Sequence, residues 1–144
     1  MLDTKRGFTV IQFIVGMTVV TLFVLAISVA VARQTWRNNQ RKTDLAQVEA
    51  MISRYSETHN GLYPKTQDAD DPGSQLQSDF AALRLVDPKA DKYYTLGSKT
   101  DACDGGASMD NLGPGYISYK RPGQNDPYLL RICLEGGKEY YIAE

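Results

Sequence analysis

The chain has 144 residues, with 16 Lys and Arg against 17 Asp and Glu, so its formal net charge is −1. A chain of this length forms one domain at most, and a net charge near zero offers no general basis for binding nucleic acid. The mean hydropathy of −0.36 is that of a soluble protein. The apolar residues are concentrated near one end, however, so the sequence predicts an apolar stalk and a polar head.

The stalk is a long run without charge near the N-terminus. No Lys, Arg, Asp or Glu occurs from Phe8 to Ala32. As a helix this run is roughly 37 Å long, enough to cross a hydrocarbon core of ~30 Å. It exceeds the roughly 7–15 apolar residues of a secretory signal peptide. Because an isolated span must satisfy its backbone hydrogen bonds internally, the run is predicted to be a transmembrane helix.

The same helix is predicted to continue beyond the apolar run. Cations come first, at Arg33, Arg37, Arg41 and Lys42. Apolar residues then recur at spacings of three and four, at Leu45, Val48, Ile52 and Tyr55. This spacing is typical of a helix with one apolar face. Because Asn60 and Gly61 form a stop signal, a single helix is predicted over residues 8–59.

The remaining residues predict a small cover for that apolar face. A polar loop is expected at 65–73 and a short helix at 75–85. Short β runs follow at 93–96, 116–120, 128–134 and 139–143, with Gly136-Gly137 as a hairpin turn. One face of the third run is apolar, at Tyr128, Leu130, Ile132 and Leu134. The predicted fold is α+β, with a small antiparallel sheet packed on the C-terminal half of a long helix.

The two cysteines, Cys103 and Cys133, both lie far from the apolar run. An even pair in an exported domain indicates one disulfide, whereas a cytosolic location favours two unrelated reduced thiols. Cys133 falls on the strand face opposite the predicted core. A bond between the two cysteines would therefore tie the Gly-rich connection 97–115 to the sheet.

Two stretches carry a resemblance to a known family. Gly7-Phe8-Thr9-Val10-Ile11, after a short basic leader, resembles the cleavage and methylation site of the type IV pilin family. DLAQVEAMISRYSETHNGLYP, residues 44–64, is similar to the end of the family's long helix. The resemblance implies a leader at 1–7, a transmembrane and filament-core half-helix at 8–32, and a head at 33–144 that includes the amphipathic half-helix.

The resemblance implies a structural subunit and not an enzyme. A prepilin peptidase would cut after Gly7 and methylate the new N-terminus at Phe8. The helix would anchor the precursor in the cytoplasmic membrane, and inner-membrane assembly machinery would then move it into an extracellular filament of the same or other pilins. The same side chains can pack against lipid or against neighbouring helices, so this transfer need not expose them to water.

One residue departs from the family pattern. The fifth mature position is usually Glu, thought to pair with the positively charged N-terminus of an adjacent subunit, and here it is Gln12. The resemblance implies that Gln12 takes part in filament assembly without a charge. A major pilin, a minor pilin, and a pseudopilin of a type II secretion or DNA-uptake system all remain open. So does an unprocessed single-pass membrane protein whose head binds a partner.

Membrane orientation is where charge and resemblance disagree. The cations at residues 33–42 outnumber those of the leader, so charge alone places the head in the cytoplasm. The resemblance implies the opposite side.

The polar loops contain no recognisable catalytic motif. Asp101, Asp104 and Asp110 crowd a Gly-rich loop, which is either a Ca²⁺ site or a set of turns. No nucleophile–base pair, phosphate loop or metal-ligand cluster indicates an enzyme or a cofactor. The basic residues of the last strands are interpreted as a solvated sheet face, so no nucleic-acid partner is predicted.

Overall fold

The computed structural model describes residues 10–99, 103, 115–123 and 126–143. The chain divides into two compact units, Met1–Thr35 and Trp36–Glu144, and the second is called the head here. Helix α1 spans Val10–Thr58 and contributes residues to both units.

Helix α1 ends where its stop signal predicts. Asn60 and Gly61 follow its last turn with positive φ angles of 58° and 79°. The Gly61 N–H donates to the Ser56 carbonyl at 2.8 Å. A left-handed residue after a helix lets the chain turn back and satisfy carbonyls that the helix leaves free. The predicted end at residue 59 is therefore confirmed to within one residue.

Helix α2, Gln75–Ala82, is shorter than the predicted span of 75–85. At its start, the Ser74 hydroxyl accepts a hydrogen bond from the Gln77 N–H at 3.1 Å, as N-cap residues do. At its end, Arg84 has a φ of 50°, which takes the backbone out of the helix. Within the predicted polar loop, Thr66–Ala69 forms a 3₁₀ turn.

Four strands form one sheet in the order β1-β2-β3-β4, at Thr95–Gly97, Tyr116–Lys120, Leu129–Cys133 and Glu139–Ala143. The predicted α+β class is confirmed, and β2, β3 and β4 are antiparallel as expected. Strand β1, however, runs parallel to β2, so the sheet is mixed. A tight turn forces an antiparallel return, but the long connection 98–115 permits a parallel one.

The hairpin between β3 and β4 turns at the predicted glycines. Gly136 and Gly137 have φ angles of 88° and 72°. The Leu134 N–H donates to the Lys138 carbonyl at 2.8 Å and closes the turn. Two consecutive positive φ angles match the twist of antiparallel strands, and glycine adopts them without steric cost.

The core of the head joins the apolar face of α1 to one face of the sheet. Its residues with no solvent exposure include Leu45, Val48, Ile52, Ile117, Tyr119, Tyr128 and Leu130. Leu134, predicted to share this face, is only half-buried. The Tyr119 hydroxyl donates to the Pro64 carbonyl at 2.7 Å, which fixes the chain after α1 to the sheet.

Truncating a residue of this core should destabilise the head. Ile52→Ala removes buried methyl groups, and we expect a loss of about 2–5 kcal/mol in the free energy of unfolding. Near-ultraviolet circular dichroism of the tyrosines during denaturation, in detergent micelles, would measure it. Val29→Ala, at a position 49 % exposed, is the matched control and should leave the midpoint unchanged. Equal effects of both variants would contradict the described core.

Candidate functional site

The first part of α1 presents an apolar surface that is exposed in the described part of the chain. Residues 10–33 are all exposed. An 18-residue stretch of α1 has a mean hydropathy of 2.6 and 0 % of its residues buried. The core helix of a soluble protein would be mostly buried, and this stretch is not. The segment is long and apolar enough to cross a membrane.

The hydroxyl groups of this segment are satisfied within the helix. Thr18 donates to the Ile14 carbonyl at 2.9 Å, and Thr21 donates to the Met17 carbonyl at 2.8 Å. Ser28 bonds in the same way to the carbonyl four residues before it. An unpaired hydroxyl is costly in hydrocarbon. These bonds therefore make the polar side chains compatible with an apolar environment.

The predicted processing and assembly residues are described only in part. Gly7 and Phe8 lie outside the described residues. Gln12 lies in the first turn of α1 and is exposed.

Two of the cations after the apolar run form ion pairs inside the head. Arg41 donates from Nε and Nη2 to both carboxylate oxygens of Asp87, at 2.8 and 3.0 Å. Its Nη1 donates to the Cys133 carbonyl at 3.2 Å. Arg37 makes a two-point ion pair with Glu135, and its bond holds the pKa of that carboxyl below the usual value. Both arginines thus bind the head's own carboxylates.

Side chains next to these arginines also join α1 to the hairpin of β3 and β4. The Asn38 amide accepts from the Glu135 N–H at 2.8 Å and donates to its carbonyl at 3.4 Å. It therefore bonds to the hairpin much as a neighbouring strand would. The Lys42 ammonium lies 5.1 Å from the centre of the Tyr140 ring, within the range of a cation–π contact.

Sequence analysis did not identify Asp87 as the partner of Arg41. The available signal was the position of Arg41, four residues before Leu45 and seven before Val48, which places it on the buried face of α1. A cation at a buried position requires a counter-charge, because an unpaired buried charge is very costly. Nothing in the spacing indicates which of the many carboxylates supplies it.

Two buried carboxylates near Arg41 have opposite pKa shifts. Burial opposes ionisation of Asp87, but bonds from Arg41 and from the Ala90 and Lys89 N–H groups outweigh it, so its pKa is lowered. Burial of Asp44 raises its pKa, and its bonds from Gln40 and Tyr94 offset this only in part. Asp87 therefore stabilises the head when ionised, whereas ionisation of Asp44 costs stability.

The cysteines are joined as the sequence suggested. Cys103 and Cys133 form a disulfide with a Cα–Cα distance of 5.4 Å. Both are buried in a small cluster with Tyr116, separate from the main core. The disulfide ties the connection between β1 and β2 to the end of β3. Asp101, Asp104 and Asp110, the possible Ca²⁺ ligands, lie outside the described residues.

Comparison with known proteins yields no relative. No family model matches the chain, and neither does any curated protein or solved structure. The resemblance to type IV pilins rests on the sequence motifs.

Asp87→Asn and Asp44→Asn should change stability in opposite directions at pH 7. Asp87→Asn leaves Arg41 without its counter-charge, and we expect the free energy of unfolding to fall by roughly 3–5 kcal/mol. Asp44→Asn keeps both hydrogen bonds possible and removes a costly charge, so stability should rise.

The pH dependence follows from the same shifts. As pH falls below about 4, the wild type loses the stability that ionised Asp87 contributes. The difference in free energy of unfolding between the wild type and Asp87→Asn should therefore shrink there. Asp44 is protonated in the folded head at that pH, so the gain from Asp44→Asn should vanish as well. Denaturant unfolding at several pH values would measure both. Parallel, pH-independent losses in the two variants would contradict the described network.

Removing the disulfide should weaken the head without changing its fold. Replacing both cysteines by Ser frees a closed loop, which costs roughly 3–4 kcal/mol in the chain-entropy model. The free energy of unfolding of the double variant, compared with the oxidised wild type, measures this loss. Thiol labelling of unfolded, unreduced wild type should modify neither cysteine, and two labelled cysteines would refute the bond.

Proposed function

We propose that this chain is a structural subunit of a type IV pilus-like filament. In this proposal the precursor is cut after Gly7 and methylated at Phe8. It is held in the cytoplasmic membrane by the first part of α1, and it is assembled into an extracellular filament through that same helix. Its partners are other pilins, the prepilin peptidase and the assembly machinery of the inner membrane.

The observation that carries the proposal is the contrast between the two parts of α1. Its residues 10–32 are exposed, uncharged and mostly apolar, whereas further along Leu45, Val48 and Ile52 are completely buried under a small sheet. The apolar part therefore needs a cover that the described chain does not supply. Lipid tails and neighbouring helices both provide one, which fits a subunit that moves from a membrane into a filament core.

The ion pairs of the head weaken the charge argument against an exported head. The positive-inside rule counts cations that flank a span as a sign of the cytoplasmic side. Arg37 and Arg41, however, are bonded to carboxylates of the head itself. Their presence is explained by the folded structure, so they are weak evidence for a cytoplasmic location. The motif around Gly7 then supports export of the head.

Gln12 favours a minor pilin or a pseudopilin over an abundant shaft subunit. A neutral amide is cheaper in lipid than a carboxylate, but its hydrogen bond to a neighbouring ammonium is about half as strong. A shaft subunit needs that contact at every step of the filament. A subunit present in few copies depends on it less.

Processing provides the direct test. Protein isolated from its native cell should have the mass of the chain without Met1–Gly7 and with one added methyl group on Phe8. Gly7→Leu should retain the leader and fail to assemble, because the peptidase site requires a small residue at that position. Intact-mass spectrometry measures both.

Gly16→Leu is the matched control, since no atom lies within 4 Å of a Cβ added at Gly16. It makes the same substitution inside the apolar segment and should be cleaved normally. An unprocessed, unmethylated wild type would instead support a single-pass membrane protein whose head binds a partner. Normal cleavage and assembly of Gly7→Leu would refute the filament proposal.

A further inference from the structure

The head has an open groove of about 1000 Å³ between α2 and strand β1. Four aromatic residues, Phe80, Tyr93, Tyr94 and Tyr116, contribute to its lining beside aliphatic and polar residues. Tyr93 is 67 % exposed although it belongs to an isolated β-bridge with Val86. A groove that combines apolar faces with a few polar groups is the usual form of a ligand site.

The charged groups of the groove favour an anionic ligand. Its described lining contains one carboxylate and two cations, Asp70, Arg84 and Lys99. Both carboxylate oxygens of Asp70 are already bonded to Ser98, one to its N–H and one to its hydroxyl. Arg84 is exposed, and no hydrogen bond or ion pair is described for its guanidinium. The groove therefore offers cations and no uncommitted carboxylate among these residues.

Arg84 occupies a backbone position that favours glycine. Its φ of 50° lies in the left-handed region, directly after Leu83, the C-cap of α2. A residue with a Cβ costs roughly 1–2 kcal/mol there, and glycine is the usual occupant. Within the described head, the only hydrogen bond described for Arg84 is from its backbone N–H to the Ala81 carbonyl, at 3.3 Å, and none involves its side chain. Strain that stability does not explain points to a function for the side chain.

The groove is not suited to an extended peptide. Peptides that lie along a sheet edge bind through free backbone groups of the edge strand. On β1, however, the Leu96 carbonyl accepts from the Gln77 amide at 3.0 Å, and the Ser98 N–H donates to Asp70 at 2.9 Å. Side chains of the head thus already bond two of the outward backbone groups that a peptide would need at this edge.

We propose that this groove binds an acidic saccharide, with a sugar ring stacked on Tyr93 and its carboxylate bound by Arg84. The exposed phenol face suits the C–H face of a sugar, since aromatic faces carry partial negative charge. A carboxylate matches the planar guanidinium in two-point geometry. The loop that contributes Asp70 also carries Asp68 and Asp71, which disfavours a densely charged polyanion such as single-stranded DNA. The proposal uses only head residues and does not depend on filament assembly.

The test measures binding of a defined probe to the full-length protein in neutral detergent. The probe is the methyl glycoside of galacturonic acid, a single sugar with one carboxylate, and its methyl ester is the uncharged control. We expect the acid to bind at least tenfold more tightly than the ester, because the ester lacks the charge that Arg84 recognises. Equal affinities, or no binding of the acid, would overturn the proposal. Tighter binding of single-stranded DNA or of polyglutamate would also overturn it.

Arg84→Gly separates function from stability. We expect this variant to bind the acid at least tenfold more weakly while its melting temperature rises by a few degrees, because glycine relieves the left-handed strain. Tyr93→Ala should weaken acid and ester alike, since it removes the stacking surface. Arg54→Ala, an exposed cation on α1 outside this groove, is the control and should bind as the wild type does. Unchanged binding by Arg84→Gly would refute the assigned role.

Discussion

The head depends on the bond network of one buried arginine. Arg41, 2 % exposed, joins α1 to Asp87, which precedes β1, and to the carbonyl of Cys133 at the end of β3. Its three bonds thus hold three separate parts of the chain. An ion pair in a protein interior gains little over apolar packing, but losing one partner is costly. The network therefore specifies one arrangement of these elements more than it adds net stability.

This constraint also explains the unusual charge pattern of the sequence. The cations directly after the apolar run look like a membrane-flanking cluster when they are counted along the chain. In the folded head, Arg37 and Arg41 are ion-paired, and Lys42 lies over Tyr140. Rules that count flanking charges assume that these charges face water or lipid headgroups. Where a domain binds them internally, their number says little about the side of the membrane.

The sequence predicted those features that depend on local patterns. The 3.6-residue period predicted the buried face at Leu45, Val48 and Ile52, and Gly136-Gly137 predicted the hairpin turn. The parallel pairing of β1 was not predicted, because a long connection leaves strand direction open. The Arg41–Asp87 pair was not predicted either, since it joins residues far apart in sequence. The early end of α2 was not predicted either, because apolar spacing alone does not reveal the left-handed backbone of Arg84, which lines the groove.

The two units of the chain differ in how far their apolar side chains are buried, although both have hydrogen-bonded polar side chains. In the described part of the head, every buried side-chain nitrogen and oxygen has a hydrogen-bond partner, and the apolar residues share one core. The apolar part of α1 has its hydroxyls bonded internally, but its large apolar side chains are about half exposed or more. In the proposed function this apolar surface passes from lipid tails to neighbouring helices and does not meet water. Because lipid tails are as apolar as the side chains, close packing between helices, and not removal of apolar surface from water, would drive that association.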